Sequence, residues 1–141
     1  MMIVTPTLHF QGRCEEAICF YQKAFDLKIS HILHYSDADK HDWNIELSEE
    51  QKKFVYHSEG YIGGQRFMLA DEMEQEYSKA TSIFLTITFD TAEEVKQAYR
   101  ILSEEGTIIY PLRSTTYSSC VGSLIDKFGF RWGLMTEQTD R

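Results

Sequence analysis

The chain has 141 residues, 43% of them hydrophobic and 26% charged, which are ordinary values for one globular domain able to bury a core and which exclude disordered, fibrous and membrane-spanning classes. Its formal charge of −8 and scattered lysines and arginines argue against a nucleic-acid partner. Three cysteines, Cys14, Cys19 and Cys120, form no CxxC pair, and this argues against structural disulfides and a zinc ribbon. The opening Met-Met-Ile-Val-Thr-Pro lacks the basic and apolar blocks of a signal peptide, and no apolar run reaches membrane length, so a cytoplasmic protein without membrane contact is expected.

Ile3 to Phe10 reads as a strand, with Pro6 tolerable near its start, and Gly12 ends it. From Arg13 to Phe25 the apolar residues Cys14, Ala17, Ile18, Tyr21 and Phe25 recur at helical spacing, with Glu15, Glu16, Gln22 and Lys23 outward. Leu27 to Tyr35 is strand-like, and the polar Ser36 to Gln51 reads as a loop with a helical turn beginning at Ser48. Phe54 to Ile62, the Gly63-Gly64 turn and Gln65 to Ala70 form a predicted hairpin. Asp71 to Ala80 is acidic and polar and divides the chain.

The second part repeats the plan. Thr81 to Phe89 is a predicted strand, Thr91-Ala92-Glu93-Glu94 matches a capping box, and Val95, Ala98, Tyr99 and Leu102 give a helical stripe to about Glu104, stopped by Gly106. Strands follow at Thr107 to Pro111, Tyr117 to Ile125 and Phe130 to Thr136, the last two joined by the tight turn Asp126-Lys127-Phe128-Gly129. In the final strand Phe130, Trp132 and Leu134 share one face, and Arg131, Gly133 and Met135 share the other. The predicted fold class is α+β: two tandem βαβββ modules, about residues 1–71 and 80–137, in a single domain spanning 1–141.

The paired modules, the helix ending Phe20-Tyr21-x-x-x-Phe25 after Gly12, the Ile62-Gly63-Gly64 hairpin and the closing Asp126-Lys127-Phe128-Gly129-x-x-Trp132 resemble the vicinal-oxygen-chelate superfamily of glyoxalases, bleomycin-resistance proteins and extradiol dioxygenases. The likeness is greatest to its PhnB-like branch, often labelled 3-demethylubiquinone 3-methyltransferase-like, and runs from about Thr5 to Thr136. It implies a curved, mostly antiparallel eight-stranded sheet with helices on the convex face, a cleft on the concave face, and a homodimer. Enzymes of the superfamily place metal-binding His or Glu on the first and last strand of each module. In register these places fall on Pro6, Met68, Ser82 and Gly133, none of which binds zinc, nickel, iron or magnesium in the usual way. No metal and no cofactor is therefore expected. No glycine-rich loop follows a strand in a parallel βαβ setting, so a nucleotide-like methyl donor is not expected either.

His57 stands mid-strand, where the PhnB-like pattern also carries a histidine, and Glu59 lies on the same strand face. The pair reads as a general base with its orienting carboxylate, or as a half-exposed sheet histidine bonded to its neighbour, the plainer reading being preferred. Arg131 shares a face with Gly133 and Met135, as a fixed cation for a carboxylate or phosphonate or as an ordinary strand arginine. Tyr117, Trp43 and Met68 are candidate apolar cleft walls, with core packing the preferred role for the aromatics. His31 and His34, three apart in a strand, point to opposite faces, while His9 alternates away from Pro6 and is expected between sheet and helix. Asp37, Asp39 and Asp42 resemble the start of a calcium loop without its glycine and closing Glu, and Cys120 is expected to be inert packing.

The candidate ligand cleft thus comprises Pro6, His57, Glu59, Met68, Ser82, Tyr117, Arg131 and Gly133. Two functions follow: a metal-free homodimeric binder of an apolar or mildly anionic small molecule, or a metal-dependent lyase, isomerase or dioxygenase drawing ligands from His9, His57, Glu59 or Asp71.

Overall fold

The computed structural model describes residues 1–42, 45–73 and 82–137. The chain divides into two compact units, Met1–Glu76 and Tyr77–Arg141. The first contains β1 (Thr7–Phe10), α1 (Cys14–Phe25), β2 (Lys28–His34), β3 (Val55–Ile62) and β4 (Gln65–Asp71). The second contains β5 (Leu85–Phe89), α2 (Ala92–Leu102), β6 (Thr107–Arg113), β7 (Val121–Ile125) and β8 (Arg131–Thr136).

Each unit forms its own four-stranded sheet, in the orders β1-β4-β3-β2 and β5-β8-β7-β6. The reason is the same twice. Tight turns force β3 against β4 and β7 against β8 as antiparallel neighbours, while the helix carries the chain from one sheet edge to the other. The first strand of each unit is left to pair with the last, and that pairing is parallel.

In the first unit Leu8 and Phe10 of β1 and Phe67 and Leu69 of β4 are buried with the predicted stripe of α1, to which Phe20 is added. In the second, Val95, Ala98 and Leu102 of α2 pack with Trp132, Leu134 and Leu124, all within 1% of complete burial. The helical turn expected at Ser48 is a 3₁₀ turn, Gln51–Lys53, with Ser48 Oγ accepting the Gln51 N–H and Gln51 Oε1 accepting the Ser48 N–H.

The DKFG-x-x-W motif is a buried anchor. Asp126, 3% exposed, accepts the N–H groups of Phe128 (2.9 Å) and Phe130 (3.1 Å) on Oδ1 and the indole N–H of Trp132 (2.8 Å) on Oδ2. The carboxylate thereby closes the turn and holds the largest side chain of the unit's core in one orientation.

Several boundaries differ from expectation. The strand expected from Ile3 starts at Thr7, after Pro6, which lacks a ladder N–H. Thr91 does accept the Glu94 N–H, but the Glu94 carboxylate bonds the Thr91 hydroxyl instead of reaching back to its backbone. The expected stop at Gly106 is displaced: α2 ends at Leu102, Glu105 takes the left-handed conformation (φ 57°), and Gly106 is small because a Cβ there would lie 2.5 Å from the Ile125 carbonyl. The strand expected from Tyr117 begins only at Val121, because Ser118, fully buried, binds the N–H groups of Cys120 and Thr136 and turns the chain before it joins the sheet.

Candidate functional site

The two-residue turn at Gly63-Gly64 pins the β3–β4 register, so Glu59 faces Met68 and Tyr61 faces Arg66. Residues paired across strands share a sheet face, and on the face turned from α1 two rows cross the first sheet. One runs His31, Glu59, Met68, Thr7 from β2 to β1. The next contains Leu33 beside His57 and His9 beside Ala70, with His57 level with Ala70 by continuation of the register.

On this face Glu59 joins two cationic or hydrogen-bonding partners. Its Oε2 lies 2.8 Å from His57 Nε2, and its Oε1 accepts Arg66 Nη2 at 2.5 Å and Nε at 3.2 Å. All three are about one-third exposed. The His57 and Arg66 hydrogen bonds lower the Glu59 carboxyl from the ordinary 4.5 to about 2. An ionised carboxylate only accepts, so the neutral tautomer of His57 that fits this contact has its proton on Nε2 and its lone pair on Nδ1.

A pH dependence follows. Because the Glu59 carboxyl is lowered on folding, its pairing stabilises the fold fully above 4.5 and is lost as pH falls from 4.5 toward 2. Glu59→Gln is expected to lose less stability than the wild type between about pH 5 and about pH 3, read from urea unfolding midpoints. Equal losses would show that the pairing is absent in solution.

The other candidates of the first unit are placed as follows. Pro6 lies just before β1, its carbonyl accepting the Met68 N–H at 3.0 Å, and Met68 is half-buried beside Glu59. His9 is exposed on the face opposite α1, which corrects the expectation that it packs under the helix, since Leu8 and Phe10 take that side. His31 shares the Glu59 row, while His34 bonds Glu15 of α1 through Nε2. Asp71, 3% exposed, is committed to the backbone: it accepts the N–H of Gly12 (2.8 Å), Cys14 (3.0 Å) and Val55 (2.9 Å). Burial, with the Asp71 charge beside it, pushes the Cys14 thiol far up, so it stays protonated. Asp37 and Asp39 cap local turns through the N–H groups of His34 and His41.

In the second unit Arg131 and Gly133 lie on the face opposite α2, with Ser123 and Thr86 as the paired neighbours of Gly133. Arg131 stacks 4.0 Å from the Phe84 ring centroid, and its Nε donates to Ser123 Oγ at 3.3 Å. A Cβ at Gly133 would sit 2.9 Å from Thr86 Oγ1 and 3.3 Å from the Phe84 ring, so the room a ligating side chain would need is filled. Ser82 is exposed ahead of β5, and Tyr117, 55% exposed, lies off the sheet. Burial pushes the Cys120 thiol up as well. Trp43 lies outside the described residues.

The structure thus brings His57, Glu59 and Met68 onto one face with Pro6 at its margin, and Arg131 and Gly133 onto another. Among the described residues no three of His, Cys, Asp or Glu are grouped to hold a metal ion. Glu59 and Asp71 are each engaged by donors of the protein, Glu59 by His57 and Arg66 and Asp71 by three backbone N–H groups. Two contributors were missed in the sequence. Arg66 was legible, because a two-residue turn at 63–64 sets it diagonal to Glu59; Phe84 was not, since nothing local marks it as the lid on Gly133.

Two βαβββ units with this strand order define the vicinal-oxygen-chelate class of fold. The family model described as 3-demethylubiquinone-9 3-methyltransferase matches residues 2–135, and the chain belongs to that family, the PhnB-like branch of the class. The chain is 31% identical to a solved structure from Bacillus cereus described as a putative 3-demethylubiquinone-9 3-methyltransferase, PhnB protein, covering 96% of this chain and 99% of that one with a TM-score of 0.79. It is 24% identical over 136 residues to the protein YjdN of Escherichia coli strain K12, covering 93% and 92% of the two chains. A glyoxylase/bleomycin resistance protein/dioxygenase domain from Frankia, 9% identical, shares the fold at a TM-score of 0.66 over 100% of this chain and 95% of that one. No described helix is long and apolar enough to cross a membrane.

Proposed function

We propose that the protein is a metal-free, homodimeric binder of a small organic molecule in the cytoplasm, with the open face of its first sheet as the binding surface. The observation that carries this reading is the state of the carboxylates. Glu59 is held by His57 and Arg66, and Asp71 by three backbone N–H groups, so both are engaged by the protein itself, which supports a site without an ion. What the face offers instead is directional hydrogen bonding beside Met68 and Ala70, a composition suited to an organic ligand. The family's descriptive name points to methyl transfer, yet the sequence lacks a glycine-rich loop for a nucleotide-like donor. Pairing of two chains is supported by exposed Ile32, Ile108 and Tyr110 on the edge strands β2 and β6.

Elemental analysis of dialysed protein is expected to find far less than one metal per chain, and a thermal-shift screen of small organic molecules is expected to yield stabilising ligands. Near-stoichiometric retained metal would overturn the metal-free reading, and a screen without a hit would overturn binding. Sedimentation at micromolar concentration should give particles of twice the 16.5 kDa chain mass; single chains alone contradict the dimer.

A further inference from the structure

We infer that His57 is the proton acceptor for the bound ligand, its Nδ1 taking the proton of a weakly acidic hydroxyl on a planar ring, a phenol or ring enol, that lies across the first sheet between β3 and β1. This deepens the binding reading above and rests on it. The tautomer supplies the first reason. Glu59 accepts from Nε2, so the lone pair of the neutral imidazole is on Nδ1, and no described residue of the protein bonds that atom. Glu59 also stays ionised across the neutral range, because Arg66 holds its other oxygen, and so it supports an imidazolium as it forms.

The shape of the face supplies the second reason. Along the His57 row the next side chain toward β1 is the methyl of Ala70, and beyond it stands His9. The two histidine backbones are two strand spacings apart, about 10 Å, and among the described residues of the row the Ala70 methyl is the side chain between them. That gap is as wide as one aromatic ring with its substituents. Met68, one row along, adds a thioether to the floor, and sulfur packs well against aromatic rings. The other titratable or charged groups on this face are Lys28 and His31 of β2, Tyr61 of β3, Arg66 of β4 and His9 of β1.

The step balances without an oxidant or a second reactant. The ligand O–H bond breaks, an N–H bond forms at Nδ1, and the electron pair stays on the oxygen, so the total charge is unchanged. The product is an imidazolium between the Glu59 carboxylate and the ligand oxyanion, with Arg66 remaining on Glu59. His57 is the residue that touches the ligand, and Glu59 is a positioning residue.

The probe is 4-nitrophenol, whose anion absorbs visible light and whose neutral form does not, added to the whole protein at a pH where the free probe is mostly neutral. Bound probe is expected to show the anion band, and His57→Gln to lower the bound anion fraction by about tenfold or more while the unfolding midpoint stays near that of the wild type. Nitrogen NMR of histidine-labelled protein reads the positioning role. His57 is expected as the Nε2–H tautomer in the wild type and as a mixture in Glu59→Gln, whose amide can also donate. Binding without the anion band, or a band untouched by His57→Gln, overturns proton acceptance while leaving small-molecule binding intact. A band that persists in His57→Gln and disappears in His9→Gln overturns the assignment to His57. Absence of 4-nitrophenol binding at millimolar concentration overturns the ligand class, whereas failure of the whole organic screen overturns the binding reading beneath it.

Discussion

Replacing Asp71 by alanine is expected to lower the unfolding free energy by about 3–5 kcal/mol, with the urea midpoint falling and the slope unchanged. The carboxylate is 3% exposed and collects three backbone donors from separate places: Gly12 after β1, Cys14 at the first turn of α1 and Val55 at the start of β3. Each is a charge-assisted bond, and deletion leaves donors in the interior without an acceptor. The negative charge also sits at the N-terminus of α1, where the helix dipole favours it. Gly12 contributes through its backbone as well, since its φ of +93° is one that side-chain-bearing residues rarely adopt. Asp71→Asn separates charge from geometry. One oxygen can still serve Gly12 and Cys14, but the new amide faces the Val55 N–H, donor against donor, and a loss of about 2–3 kcal/mol is expected. The alternative role as a metal ligand makes a different forecast, that a chelator destabilises the wild type by a similar amount. A chelator effect of that size, or an Asp71→Ala loss under about 1 kcal/mol, would overturn the structural role.

Asp126→Ala is expected to cost about 3–5 kcal/mol for a related reason in the other unit. Here the donors are two turn N–H groups and the indole of Trp132, which is completely buried. Trp132→Phe keeps most of the apolar volume and removes the N–H, so the two replacements form a double-mutant cycle. A coupling of about 1.5–3 kcal/mol is expected between them, measured by urea unfolding of both single variants and the double. Coupling below about 0.5 kcal/mol would show that the indole bond contributes nothing and that Asp126 acts through the turn alone.

These acids also mark the limit of what local sequence pattern encodes. The helix over Cys14–Phe25 was visible because its buried positions repeat at helical spacing, and the hairpin at Ile62–Gln65 because two glycines allow few turn geometries. His9 was placed on the wrong side of its sheet for an instructive reason. Period-two alternation says which residues share a face and leaves open which face the helix covers. The apolar Leu8 and Phe10 had the better claim to it. Tyr117 was drawn into a strand by its β propensity, whereas the fully buried hydroxyl of Ser118 bends the chain there, a tertiary override of a local preference. The strand pattern of Arg131 suits a cation for a ligand, whereas in the fold it stacks on Phe84 and bonds Ser123, neither of which its own strand reveals.

The amino-acid sequence by itself determined the eight strands and two helices of the described residues, their doubling into matched modules and the membership of the class, because these follow from periodicity, turn residues and caps acting over a few positions. Only the tertiary structure decided what each carboxylate is for. Asp71 meets donors 59, 57 and 16 residues away, and Asp126 turns both oxygens inward, while Glu59 remains on an open face with His57 and Arg66. Saturation of an acid depends on which N–H groups surround it after folding, and those partners come from segments whose approach no local pattern encodes.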